Sequence, residues 1–256
     1  MNPTIDPNYT RQTLVDLVQI NSVNPDLSPD GAGEAVIGAY VAQALKTMGL
    51  AVTIYDLGSG RMNVVGTLKG TGHGRSLLLN AHMDTVGVGG MADPFGAVVR
   101  DGRLYGRGAQ DMKGSLAAMM GAVKALVDSG VKLAGDVLLT AVADEEYASI
   151  GTDDLVRHVT ADAAIVTEPT DLHLCRAHRG FVWLNLETTG RAAHGSRYKD
   201  GIDANMHMGR FLGELEKLSQ ELIQRPSHPL AGPPSLHASL LQGGSEISVY
   251  AARCLL

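Results

Sequence analysis

The sequence predicts an α/β protein, a mostly parallel sheet flanked by helices and followed by a smaller α+β unit. Three observations carry this expectation. Short β-rich runs alternate with longer segments whose apolar residues recur at helical spacing. The chain has 31 glycines but only 4% aromatic residues, which suits a fold with many tight turns. Several apolar runs stop abruptly at a histidine or a carboxylate, and open α/β sheets place their chemistry at the carboxyl ends of strands.

A first helix is expected over Thr10–Ile20, where Leu14, Leu17 and Val18 share one face; Asn21–Asp30 (NSVNPDLSPD) is a turn-rich loop. A second helix follows over about Gly33–Met48, with Ile37, Val41 and Leu45 at i, i+4 and i+8 and Gly49 as a stop signal. That spacing describes a core face. From Ala51 the period shortens, and Ala51–Asp56, Met62–Leu68 and Ser76–Ala81 read as three strands separated by Gly-containing turns. The third delivers His82 and Asp84 where the apolar pattern stops. Alone, a His-x-Asp is weak evidence, because a histidine is more often a hydrogen-bonded structural residue than a ligand. Gly87–Gly90 (GVGG) lacks both the Lys-Ser/Thr of a phosphate loop and the G-x-G-x-x-G of a dinucleotide site, and reads as a turn.

Arg103–Gly114 (RLYGRGAQDMKG) sets three glycines around Asp111, ahead of an alanine-rich helix over Ser115–Val127. Asp111 then has two readings: an N-cap for that helix, or a carboxylate brought close to a metal by a glycine-rich backbone. The next strand, Asp136–Ala143, runs into Asp144-Glu145-Glu146. Three adjacent acids usually form a solvated loop. Beside a cation, one of them can ligate while a neighbour holds a water as general base. A short helix over Thr152–Val159 precedes a buried strand, Ala163–Thr167, that ends on Glu168.

After Asp171 the pattern changes to a strand at Phe181–Thr188, a helix at Ile202–Leu222, and strands at Ser235–Leu241 and Ile247–Leu255 joined at Gly243-Gly244. This β-α-β-β order marks a second unit from about residue 180.

Bulk properties exclude some functions. A net charge of −6, with no basic run, argues against a nucleic-acid partner. No apolar stretch approaches the roughly 18 to 20 residues that span a bilayer, and Met1–Asp6 does not read as a secretory signal. Cys175 and Cys254 form no CxxC pair, so packing thiols in a reducing, cytoplasmic compartment are expected.

His82, Asp111, Glu145, Glu146 and Glu168 fall on four segments, each at a strand-to-loop junction, so a parallel-rich sheet would gather them in one cleft. One imidazole with several carboxylates suits Zn²⁺, Co²⁺ or Mn²⁺. Five segments in order, NAHMDTV (Asn80–Val86), GRGAQDMKG (Gly106–Gly114), DEE (Asp144–Glu146), TEPT (Thr167–Thr170) and GRAAHGS (Gly190–Ser196), resemble the signatures of the di-zinc aminoacylase and carboxypeptidase family, which includes acetylornithine deacetylase and succinyl-diaminopimelate desuccinylase.

The resemblance covers essentially the whole chain and implies a zinc-exopeptidase-like fold with a mixed, mostly parallel sheet. It implies a catalytic metal-binding domain over residues 1–179 and a partial lid or dimerisation domain over 180–256. By position, Asp111 would bridge two metals, His82 and Glu168 would complete one site, and Glu146 would belong to the other. Asp84 would orient His82, and Glu145 would be the general base. His194 would reach the active site of a partner subunit and stabilise the oxyanion there, which makes a homodimer the expected unit. Arg179 is a candidate for binding a substrate carboxylate. His73, His158, His173, His207, His228 and His237 carry no motif.

The implied reaction is amide hydrolysis of an N-acyl amino acid, N-acetylornithine first, with N-succinyl-diaminopimelate or a dipeptide next. In the family, a histidine near the C-terminus completes the second metal site. This chain ends at Leu256, inside the implied lid. One tight metal site is therefore expected here, in a truncated form of a two-metal parent enzyme; the alternative is a catalytically inactive metal-binding or dimerising remnant.

Overall fold

A computed structural model describes residues 2–256, which divide into two compact units between Leu172 and His173. In the first unit, helix α1 (Pro7–Gln19) is capped by Asp6, whose carboxylate accepts from the amides of Asn8 and Tyr9, with Pro7 in the first turn. The cap starts the helix three residues before the apolar pattern does. Helix α2 (Ala35–Thr47) leads into β1 (Ala51–Gly58), and β1 forms an antiparallel hairpin with β2 (Arg61–Leu68). Strand β3 (Leu77–His82) follows, then a small antiparallel pair, β4 (Val98–Arg100) and β5 (Arg103–Tyr105). At three residues each, β4 and β5 are too short to reveal themselves by alternation. Helix α3 (Lys113–Ser129), β6 (Val137–Val142), α4 (Ile150–His158) and β7 (Ala163–Val166) complete the unit.

The main sheet is mixed, in the order β1-β2-β6-β3-β7. Strand β6 pairs antiparallel with β2 and parallel with β3, and β3 pairs parallel with β7. In register, His82 stands beside Val142 and Asn80 beside Val166, so β3, β6 and β7 all end at one edge of the sheet.

The period-2 alternation of each strand divides the core. Val64 and Ala141 join Leu17, Leu45 and Leu116 on the face covered by α1, α2 and α3, while Val65 and Val142 pack with Leu155 of α4 on the other. Burying a leucine such as Leu45 fully stabilises the fold by roughly 1.5–3 kcal/mol. Gly66 allows α2 to lie close to the sheet, since a Cβ there would sit 2.8 Å from the Leu45 side chain. Strand β7, expected to be buried, is instead an edge strand with all four residues exposed, Val166 at 58%. Its apolar sequence resembles that of a central strand, but among the described residues it is paired on one side only.

The second unit contains β8 (Glu187–Thr189), α5 (Ala204–Gln224), β9 (Gln242–Gly243) and β10 (Arg253–Leu255), with a three-stranded antiparallel sheet in the order β8-β10-β9. The element order is the expected one, but β8 and β10 cover only the ends of Phe181–Thr188 and Ile247–Leu255, and Ser235–Leu241 forms no strand, β9 falling instead on Gln242–Gly243 where a turn is expected. A strand requires a continuous row of hydrogen-bonded neighbours, and outside the short ladders those runs make isolated backbone contacts, such as the Tyr250 amide on the Ala193 carbonyl at 2.9 Å; Val182 is 80% exposed. The core is correspondingly small, built from Ala204, Met208, Ala251 and Cys254. Cys254 packs as expected, whereas Cys175 is exposed. Among the described residues, no helix is long and apolar enough to cross a membrane.

Candidate metal centre

The shared edge of β3, β6 and β7 delivers most of the site. His82 is the last residue of β3, Glu145 and Glu146 follow β6, and Glu168 lies two residues beyond β7. Asp111 arrives from the loop before α3. Gly108 in that loop has φ +80°, and a Cβ there would meet the Thr85 side chain at 2.7 Å, so glycine is what lets the backbone pass. Asp111 does not cap the helix: Met112 occupies the N-cap position without a side-chain bond, and the peptide between them is cis.

The imidazole of His82 is buried, and both of its nitrogens face oxygen. Nδ1 lies 2.9 Å from the backbone carbonyl of Asp84, and Nε2 lies 3.1 Å from Oδ1 of Asp111. Oxygens of Glu168 and Glu145 stand 3.8 and 3.9 Å from the same Nε2. Ligating atoms of His82, Asp111 and Glu146, and separately of His82, Glu145 and Glu168, fall within 4.8 Å of one another. The structure thus gathers all five sequence-predicted residues around one imidazole. The cluster is closed behind the ring and open in front, with His82 at 1% side-chain exposure and Asp111 at 54%.

The electrostatics follow from this crowding. Burial alone would lower the pKa of His82, but the hydrogen bond to Asp111 and the charges of Asp84, Glu168 and Glu145 raise it to about 9. Burial pushes Glu146 and Glu168 up to about 7, and the neighbouring carboxylates reinforce the shift. Asp111 is held below the usual carboxylate range by the bond from His82. Without a cation, protons take up part of the excess negative charge. A divalent ion could take their place, because a ring whose Nδ1–H donates to a carbonyl presents the Nε2 lone pair to the acids. One nitrogen and several carboxylate oxygens form a donor set suited to Zn²⁺, Co²⁺ or Mn²⁺.

The Asp84 carboxylate is 3.6 Å from His82 Nδ1, farther than its own backbone carbonyl. Its closer partners are the amides of Glu145 and Glu146, at 3.0 and 3.2 Å, and the side-chain amide of Asn24, at 2.7 Å. Asn24 is therefore adjacent to the site although no motif marked it. Lys113, also unmarked, is fully buried and donates to the carbonyl of Ile20 at 2.8 Å; burial lowers its pKa to about 7.

His194 and Arg179 belong to the second unit. His194 is exposed, and its Nδ1 accepts from the Ser196 amide at 3.3 Å, which leaves Nε2 to carry the proton of the neutral ring. Arg179 is exposed and donates through Nε to the carbonyl of Ala231 at 2.6 Å.

Residues 78–239 match the family model described as peptidase family M20/M25/M40. Acetylornithine deacetylase of Pasteurella multocida is 33% identical over 225 residues, covering 84% of this chain and 58% of its own length. N-formyl-4-amino-5-aminomethyl-2-methylpyrimidine deformylase of Bacillus subtilis is 29% identical over 248 residues, covering 90% of this chain and again 58% of its own. The chain thus spans about 58% of the length of these curated relatives. Human carnosine dipeptidase 1 has a similar fold, with a TM-score of 0.67 at 17% identity, over 97% of this chain and 68% of that one. An M20 family metallo-carboxypeptidase of Sulfolobus solfataricus superposes with a TM-score of 0.65, also at 17% identity, over 98% and 70% of the two chains.

Proposed function

The chain belongs to peptidase family M20/M25/M40, and from that premise we propose that the cluster around His82 is the metal centre of a hydrolase that cleaves the amide bond of an N-acyl amino acid. The observation that carries this reading is the His82 ring, buried with one nitrogen on a backbone carbonyl and the other facing three carboxylates.

Bound divalent ions would supply Lewis-acid polarisation of the scissile carbonyl and acidify a water. His82, Asp111, Glu146 and Glu168 would hold them, with Asp111 shared between two positions. His82 is the sole histidine in the candidate ligand groups among the described residues, which supports one tight ion in this chain rather than two. Zn²⁺ is the first choice, with Co²⁺ or Mn²⁺ next. Glu145, 37% exposed at the open side of the cluster, would accept a proton from the attacking water and pass it to the leaving amine. Asp84, through its hold on the Glu145 and Glu146 amides, would keep both side chains on the His82 side.

Residues 1–179 would serve as the catalytic domain and 180–256 as part of a lid and dimerisation domain. In a homodimer, His194 would present its Nε2–H to the oxyanion formed in the partner's site, a role that the Ser196 contact on Nδ1 supports. Arg179 would bind a substrate carboxylate with the guanidinium nitrogens not engaged by Ala231. The similarity to acetylornithine deacetylase makes N-acetylornithine the first substrate to try, followed by N-succinyl-diaminopimelate and a dipeptide. A cytoplasmic location fits small substrates of this kind.

Amine release from these three compounds, measured with Zn²⁺ or Co²⁺ present, tests the reading. Hydrolysis of at least one is expected. A metal-loaded chain that cleaves none would favour the non-catalytic metal-binding remnant.

A further inference from the structure

Arg61, the first residue of β2, is 5% exposed and buried among acids. Its Nε and Nη2 grip the Glu34 carboxylate at 2.9 and 2.7 Å, Nη1 donates to Asp26 at 2.7 Å, and Nη2 also lies 3.0 Å from Oδ1 of Asp144. Glu34 and Asp144 have side-chain exposures of 0% and 1%, so water contributes almost nothing and the guanidinium fork is their main counter-charge. Asn24 Nδ2 uses both of its hydrogens, one on Asp144 Oδ1 at 2.9 Å and one on Asp84 Oδ2 at 2.7 Å, joining two buried carboxylates that would otherwise repel.

The network converges on the backbone at Asp144. That residue has φ +63°, a left-handed conformation uncommon outside glycine and better tolerated by aspartate than by most residues. Several bonds hold it there: its amide donates to Glu34 at 3.3 Å, Oδ2 accepts from the Ile150 amide at 3.3 Å, and Oδ1 accepts from Asn24 and Arg61. Past this turn, the next two amides, of Glu145 and Glu146, both donate to the Asp84 carboxylate, whose backbone carbonyl holds His82 Nδ1.

We propose that Arg61 and Asn24 are positioning residues of the metal centre: they fix the left-handed turn at Asp144 and so place Glu145 and Glu146 against His82. Neither touches the ligating atoms, and the inference rests on the reading of the cluster as a metal centre. A network that served only as a core staple would alter the melting temperature and leave metal affinity unchanged in the folded protein.

The test is titration of the full chain with Co²⁺, followed by visible absorption well below the melting temperature. The wild type is compared with N24A, with R61K, which keeps the charge but loses the bidentate fork, and with L45A, a core change remote from the network. N24A and R61K are expected to weaken Co²⁺ binding by roughly 10- to 100-fold and to shift the absorption band. L45A should melt earlier with wild-type affinity and band. Wild-type titrations for both network variants would overturn the proposal, as would failure of both to fold, since the network would then be a staple alone. If only R61K fails to fold, N24A, which removes no charge, decides. A wild-type chain that binds no Co²⁺ would instead remove the metal-centre reading, and with it this inference.

Discussion

Nε2 of His82 lies 3.1 Å from Oδ1 of Asp111, joining the end of β3 to a loop 29 residues further along the chain. Against the lowering effect of burial, that contact and the Asp84, Glu168 and Glu145 charges raise the pKa of the ring to about 9. D111N, nearly the same shape but neutral, should lower the His82 pKa. Proton NMR titration of the imidazole in a chelator reads this. A wild-type ring that titrates at the ordinary 6.5 would contradict the geometry.

The metal-free protein should lose stability as pH rises. Glu146 and Glu168 bind their protons more tightly when folded, so their contribution is present below the ordinary value of 4.5 and is lost as pH passes about 7. His82 acts in the same direction, its contribution present below 6.5 and lost through about 9. The depressed Asp111 contributes above 3.8 and loses its effect only at lower pH, outside this window. Melting temperatures in chelator should therefore fall between pH 5 and 9, and saturating Zn²⁺ should oppose the fall. A metal-free curve that is flat or rises would rule out this charge balance.

Two neighbouring glutamates divide the proposed chemistry. E145Q should abolish amide hydrolysis with the tight ion retained, while E146Q, which alters a ligand of the other metal position, should keep the tight ion and weaken binding of a second one. Metal analysis beside a single-substrate assay separates them. If E145Q is the variant that weakens the second ion, the two roles are exchanged.

Leu45 is fully buried between α2 and the sheet. L45A should cost about 2–5 kcal/mol of folding stability through the cavity it leaves. Urea unfolding measures this, and a loss below about 1 kcal/mol would mean that the site collapses freely around the smaller side chain.

The sequence made one half of the site legible. His82, Glu145, Glu146 and Glu168 announce themselves because an apolar run ends and a polar ligand type follows, a pattern written within a few residues. Asn24, Glu34 and Arg61 could not be found in that way. Asn24 meets Asp144 across 120 positions and Arg61 meets Glu34 across 27, contacts that no local period encodes. Taken alone, Asp111 reads better as a helix cap than as a ligand, and the folded loop turns its carboxylate toward His82. The helices were placed well because 3.6-residue spacing accumulates over several turns. The strands of the second unit were overestimated because alternation shows that a run can form a strand but does not supply the neighbour it must pair with.

Metal stoichiometry decides the central claim. The chain, stripped with chelator, reloaded with Zn²⁺ and dialysed, should retain one ion per chain by elemental analysis, and H82A should retain none. A wild-type chain that holds no ion or two tightly held ions, or an H82A variant that keeps its ion, would contradict a single tight centre built on His82.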